Sequence, residues 1–299
     1  MNEKIEQSVE YANDRFEDFV EDVATLVGIA SVSSDKNSRN EIDQAVEWLT
    51  DRLTKASLAN VQTFETTGNP IVFADNGVQQ AEFPTVLIYG HYDVQPAGSI
   101  SEWSYDPFSA TIDGEFLYGR GTSDMKAQLL ACIAGVEAMS QNGRILLNIK
   151  FLIEGNEEYG SGEVARFVED QQELLECDFC LNCDAGMLGP LKPTIVYGLR
   201  GRLISRIMVR GASKNVHEGL YGGVIRNPVH VLSELIAGFH DAEGNIRLPG
   251  FYDHVSPLTE DEQSELARLP LDSEYFLNSS GAAMLWGEKP YQPIERIGA

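Results

Sequence analysis

Apolar residues at Phe16, Phe19, Val20, Val23, Leu26 and Val27 recur every three or four positions, the period of a helix that buries one stripe. After a polar break beginning at Ser33 and Ser34, the residues Ile42, Ala45, Val46, Leu49 and Leu53 predict a second amphipathic helix, and Val61 to Phe64 a short strand. Then the period changes. Val86, Leu87, Ile88 and Tyr89 form an unbroken apolar run, which suits a parallel strand covered on both faces. Past a long polar and aromatic loop, DMKAQLLACIAGVEAM predicts a helix whose first residue could be Asp124. RILLNIKFLIEGNEE predicts a second buried strand, EVARFVEDQQELL another helix, and FCLNCD a third strand. Strand, helix, strand, helix, strand predicts an α/β class built on a mostly parallel sheet with covering helices.

Near residue 194 the pattern shifts again. TIVYGLRGRLISRIMVRGA predicts shorter alternating strands, NPVHVLSELIAGFHD a helix with Pro228 at its start, and the turn-rich, acidic LPGFYDHVSPLTEDEQSELARLP a set of loops. The expected organisation is a first domain over residues 1–193 and a smaller α+β domain over 194–299. The 46 acidic and 22 basic residues give a formal charge of −24, which repels nucleic-acid phosphates and anionic lipid. No apolar run approaches a membrane span, and the opening MNEKIEQSVEYANDRFEDF lacks the apolar core of a signal peptide, so a cytoplasmic location is expected. Cys177, Cys180 and Cys183 have a spacing that raises a metal site. Their alternation with apolar residues along a strand instead favours buried structural thiols, with Cys132 the nearest other thiol in sequence.

Polar residues cluster where the apolar runs end. In GHYDVQP, His91 and Asp93 are two apart and share a side of an extended segment; the imidazole could bind a metal with the carboxylate behind it, or be a satisfied polar group. Asp124, in GRGTSDMKAQ, could cap a helix or present two oxygens to two metals. Glu157 and Glu158, adjacent in EGNEEYGS, form either a solvated acidic turn or a pair with different jobs. Asp184 ends FCLNCD. In an open α/β sheet, ligands gather at the carboxyl ends of strands, so these positions converge on one edge. Two divalent cations among such ligands, Zn2+ first and Mn2+ or Co2+ next, could polarise an amide and acidify a water for a peptidase or amidase reaction.

GHYDVQP, GRGTSDMKAQ, EGNEEYGS and the strand-ending Asp184, taken together and in this order, resemble the dinuclear-zinc exopeptidase family of carnosine-type dipeptidases, aminoacylase and succinyl-diaminopimelate desuccinylase. The resemblance implies that His91 and Asp184 bind one metal, Asp124 bridges, Glu158 binds the other, Glu157 is the general acid/base and Asp93 orients His91. It also implies that 194–299 is a lid and dimerisation domain, in which NVHEGLYGG carries His217 to the substrate in a partner's active site. LPGFYDHV favours the dipeptidase branch, and hence a metal-dependent dipeptidase acting on small peptides with a free carboxylate. Met125 stands where relatives often carry a second acid, and Glu218 where they carry a small Ser. Relatives add a late His to the second metal. Here no His follows His254, so the lid and the second site are expected to be incomplete. A non-catalytic metal-binding or subunit-pairing fragment and an N-acyl amino acid deacylase are the alternative expectations.

Overall fold

A computed structural model describes residues 2–77, 80–141, 145–160, 162–189, 192–199 and 201–298. The chain divides into two units, Met1–Thr194 and Ile195–Ala299. The first begins with three helices, α1 (Asn2–Asp14), α2 (Phe16–Gly28) and α3 (Arg39–Lys55). Helix α1 leaves only a weak periodic signal in the sequence: its apolar residues are few, and Ile5 and Val9 stay largely exposed. Next come β1 (Gln62–Phe64), β2 (Ile71–Asp75) and β3 (Thr85–His91). The hairpin β4 (Thr111–Asp113) and β5 (Phe116–Tyr118) falls inside the expected loop. The unit continues with α4 (Ala127–Gln141), β6 (Asn148–Glu154), α5 (Gly162–Asp170), α6 (Gln172–Leu175) and β7 (Phe179–Asn182).

The main sheet has the order β1-β2-β6-β3-β7. Strands β6, β3 and β7 run parallel, as the helix-linked pattern requires. Beside them β2 is antiparallel to β6, and β1 to β2, so the sheet is mixed where a mostly parallel one was expected. The reason is local. Residues 65–70 are too short a link for a parallel crossover, and β2, which was not anticipated, folds back as the antiparallel neighbour of β1. Successive strand residues then serve two cores. Val72, Val86, Ile88, Phe151 and Ile153 pack with Leu26, Ile42, Leu49 and Ile133 from α2, α3 and α4. Ile71, Phe73, Leu87 and Leu152 meet Phe167 of α5 and Leu175 of α6. Strand β7 lies at the sheet edge with all four residues exposed, so Cys180 is exposed where a buried thiol was expected, while Cys177 and Cys183 are half-buried.

The second unit carries α7 (Glu218–Tyr221), α8 (Pro228–Ala237), α9 (Glu260–Leu266), α10 (Ser273–Ser280) and α11 (Pro293–Gly298). Asn227 caps α8 ahead of Pro228, and Thr259 with Glu262 forms a reciprocal capping box on α9. The short strands expected after residue 194 do not form among the described residues. Ile195, Leu199, Leu203 and Ile204 are strongly exposed, and an alternating segment becomes a strand only when another backbone completes its ladder. No helix among the described residues is long and apolar enough to cross a membrane.

The helical layer of the first unit is clasped by a buried ionic cluster. Arg52 of α3 reaches Asp22 of α2 at 2.5 Å and Glu137 of α4 at 2.7 Å, and Tyr11 of α1 donates to the same Glu137 at 2.8 Å. Arg52 and Glu137 are almost fully enclosed, so removing one partner strands a buried charge. Arg52→Met is expected to lower stability by about 3 kcal/mol, with Arg52→Met/Glu137→Leu recovering more than half of the loss. Urea denaturation of the three proteins checks this, and a single-variant loss under about 0.5 kcal/mol, the size of a surface pair, would refute it.

Candidate metal centre

Parallel register brings the polar strand ends together. His91 is the last residue of β3 and pairs with Glu154 at the end of β6, while Tyr89 pairs with Asn182 of β7. Two residues beyond that second pair, His91 and Asp184 come level. The chain after β3 is pinned as it leaves the sheet: Tyr92 N–H donates to Glu154 O at 2.9 Å, Ser31 Oγ donates to Tyr92 O at 2.6 Å, and Val94 N–H donates to Ser31 O at 3.0 Å. Tyr92 lies fully buried across the turn after β6, where a Cβ on Gly155 would sit 2.2 Å from its hydroxyl, so only glycine fits there.

Asp124 does not take the helix N-cap that was one of its two alternatives. It lies instead in a wide turn, residues 122–126, with extended backbone (φ −150°, ψ 92°) and a cis peptide to Met125, ahead of α4 at Ala127. The turn is anchored from behind by Lys126, fully buried, which donates to Leu26 O at 2.9 Å and Ile29 O at 2.7 Å at the C-terminal end of α2. Burial pulls the Lys126 ammonium down to about 7, opposed by the charge of Asp93. Gly121 opens the turn with φ +86°, and a Cβ there would meet Val94 at 2.4 Å.

His91 and Asp93 are both fully buried. His91 Nδ1 faces the Asp93 carbonyl at 3.0 Å and its Oδ1 at 3.4 Å, so the other nitrogen, Nε2, points at the acids. Around Nε2 stand Asp124 Oδ1 at 3.2 Å, Asp184 Oδ2 at 3.5 Å and Glu157 Oε2 at 4.0 Å. Asp93 also accepts the backbone N–H groups of Glu157 and Glu158, each at 3.2 Å. Glu158 turns elsewhere. Gln95 Nε2 donates to its carboxylate at 3.0 Å and to its carbonyl at 2.8 Å, and Glu158 is outside the converging group. His217, in the second unit, is exposed and caps α7 by accepting the Gly219 N–H at 3.1 Å.

The electrostatics show crowding. Burial lowers the affinity of His91 for a proton, yet Asp93, then Asp184 and Glu157, outweigh it and hold the imidazolium up at about 9. Burial raises Glu157 and Asp184; the His91 charge lowers both, while neighbouring carboxylates push them up again. His91, Asp124 and Asp184 each offer one donor atom, all within 4.8 Å of one another, a mixed nitrogen and oxygen set that fits a divalent cation. With Nδ1 committed to Asp93, Nε2 and the carboxylates meet lone pair to lone pair, and only a proton or a cation between them relieves that. Gln95 and Lys126 were missed as functional residues. Both sit inside the quoted motifs, but their roles depend on contacts made 63 and about 100 residues away in sequence.

A sequence profile described as peptidase family M20/M25/M40 matches residues 87–291. The chain belongs to that family. Within the M20/M25/M40 peptidases it is similar to a Cys-Gly metallodipeptidase of Candida albicans, 32% identical over 280 residues, covering 88% of this chain and 58% of the relative. It is also similar to a human Beta-Ala-His dipeptidase, 38% identical over 215 residues, covering 71% of this chain and 42% of the relative. Among solved structures, a di-peptidase from Saccharomyces cerevisiae matches with a TM-score of 0.75 at 25% identity, over 99% of this chain and 64% of that one. The chain thus spans about half the length of the curated relatives it matches. The family implies divalent metal ions, and the His91, Asp124 and Asp184 group could hold one.

Asp93→Asn keeps the size of the side chain but offers one acceptor and one donor, so one of the two amides loses its partner and the hold on His91 weakens. Divalent-metal affinity is expected to fall roughly 10- to 100-fold, the usual effect of losing such a support. Competition against a chromogenic chelator measures it, and an unchanged affinity would show that Asp93 does not organise the centre.

Proposed function

We propose that the chain is a zinc-dependent dipeptidase that hydrolyses the amide of small peptides bearing a free C-terminal carboxylate. The observation that carries the reading is the convergence of Asp124, Asp184 and Glu157 on Nε2 of His91, the last residue of the parallel strand β3. His91, Asp124 and Asp184 would hold the cation, and Glu158 a second one. When bound, such ions supply Lewis-acid polarisation and a lowered pKa for water. Glu157 Oε2 takes the proton of the attacking water and returns it to the leaving amine, which expels the product. Asp93 positions both His91 and Glu157 through the contacts described above. Residues 194–299 act as a lid through which two chains pair in the cytosol, with His217 meeting the developing oxyanion; resemblance, not geometry, supports this part. The names of the two curated relatives make Cys-Gly and β-Ala-His the first substrates to try.

A second reading has its own observation. Glu158 is held by Gln95 away from the three-donor group, which favours a module that binds one cation and has no turnover.

The Zn2+-loaded chain is assayed on both dipeptides and on N-acyl amino acids, alongside Glu157→Gln and elemental mass spectrometry. Dipeptide hydrolysis that falls at least 1,000-fold in Glu157→Gln, with metal content unchanged, is expected, at the upper part of the roughly 100- to 10,000-fold range of general acid/base catalysis. Preference for N-acyl amino acids would make it a deacylase. One ion per chain and no turnover on any substrate would support the second reading.

A further inference from the structure

Beside the metal centre, and unused by it, two thiols touch. Cys132 Sγ donates to Cys183 Sγ at 3.2 Å, although 51 residues separate them in sequence. Both are free and half-buried at the margin of the larger core. Cys132 belongs to α4, and Cys183 follows β7 and immediately precedes Asp184. We propose that Cys132 and Cys183 form a reversible disulfide whose formation displaces Asp184 and lowers metal occupancy.

The chemistry needs an oxidant, here a low-molecular-weight disulfide of the glutathione class. Cys183 Sγ attacks one sulfur of the reagent and loses its proton to water, and half of the reagent leaves as a thiolate that takes up a proton. Cys132 Sγ then displaces the second half from the mixed disulfide, with the same proton exchange. Two electrons pass from the protein pair to the reagent, which ends as two thiols.

Bonding requires the sulfurs to close from contact to about 2.05 Å, a movement of roughly 1 Å. That movement has a short route to the ligand. Asp184 N–H donates to Asn182 Oδ1 at 2.8 Å and Ala185 N–H to Cys183 O at 2.7 Å, so the residues flanking Cys183 form one tight turn that moves with it. Metal–ligand distances tolerate about 0.2 Å, less than the displacement imposed. Helix α4 is the stiffer partner, buried along Leu129, Leu130 and Ile133, so the turn carrying Asp184 gives way. The consequence for occupancy rests on the proposed metal centre, whereas the pairing of the thiols does not.

The test incubates the full chain with millimolar glutathione disulfide, alkylates the remaining thiols and maps cross-linked peptides. In parallel, Zn2+ affinity is measured by chelator competition before oxidation, after it, and after dithiothreitol. A Cys132–Cys183 peptide as the main oxidised product is expected, with affinity about 10-fold or more weaker and restored on reduction, a change of the size expected when a ligand's support is disturbed. Cys183→Ser should bind Zn2+ as the reduced chain does and ignore the reagent, while Cys177→Ser/Cys180→Ser should respond like the unaltered chain. Mixed disulfides alone, a Cys177–Cys180 link, or a Cys132–Cys183 link with unchanged affinity would each overturn the proposal. A reduced chain that binds no Zn2+ overturns the metal-centre reading itself, while bound Zn2+ without the cross-link overturns only the switch.

Discussion

Asp93 is a carboxylate with no exposed surface, and the candidate centre depends on how that burial is compensated. An isolated carboxylate taken out of water costs many kcal/mol, so its oxygens must find donors. They find the amides of Glu157 and Glu158, at the end of β6, and the imidazole of His91, at the end of β3. Electrostatic satisfaction of one side chain therefore fixes two things at once. It selects the nitrogen that His91 turns toward the other acids, and it sets where Glu157 begins. The fold supplies the supports around this: Tyr92 wedged against Gly155, Ser31 under the strand exit, and Lys126 holding the Asp124 turn to α2.

Three parallel strands place these residues on one edge, and the edge is acidic in a chain that is already strongly acidic. A single cation among His91, Asp124 and Asp184 would relieve the repulsion between their carboxylates. Were a cation bound there, its binding free energy would become stabilisation of the strand ends. The surrounding helices do not share the conflict. Arg52 meets its two carboxylate partners, Asp22 and Glu137, within the helical layer itself.

Strands β3 and β6 were legible because their apolar runs are buried on both faces, and the polar residues that end them announced the site. Strand β2 is as deeply buried, but IVFAD is five residues long and carries no alternation; only Pro70 before it and the Asn76-Gly77 turn after it mark its limits. That Asp124 precedes α4 in a wide turn rather than capping it was not legible, because a wide turn with an extended residue has no periodic signature. Alternation along β7 says which residues share a face, not whether anything covers that face, and Cys180 lies exposed where burial was expected. The alternating segment after residue 194 shows the same limit: pattern specifies a strand's faces, while its existence waits on a partner backbone. The capping role of His217 was also out of reach, since Ser, Thr, Asp and Asn are the usual signals for that position.

The placement of Glu158 sharpens what the centre can do. His91, Asp124 and Asp184 make a three-donor group with one nitrogen and two oxygens that could hold a divalent cation. Glu158 shares the turn of Glu157 but leans on Gln95 through a solvent-exposed contact. A second dication attracts a carboxylate far more strongly than an amide does, so that contact is a weak latch rather than a barrier. Glu157, tied to the same Asp93, does not have to move when Glu158 swings. The side chain of Glu157, which faces His91, is therefore placed independently of the side chain of Glu158, which faces Gln95, within a single turn.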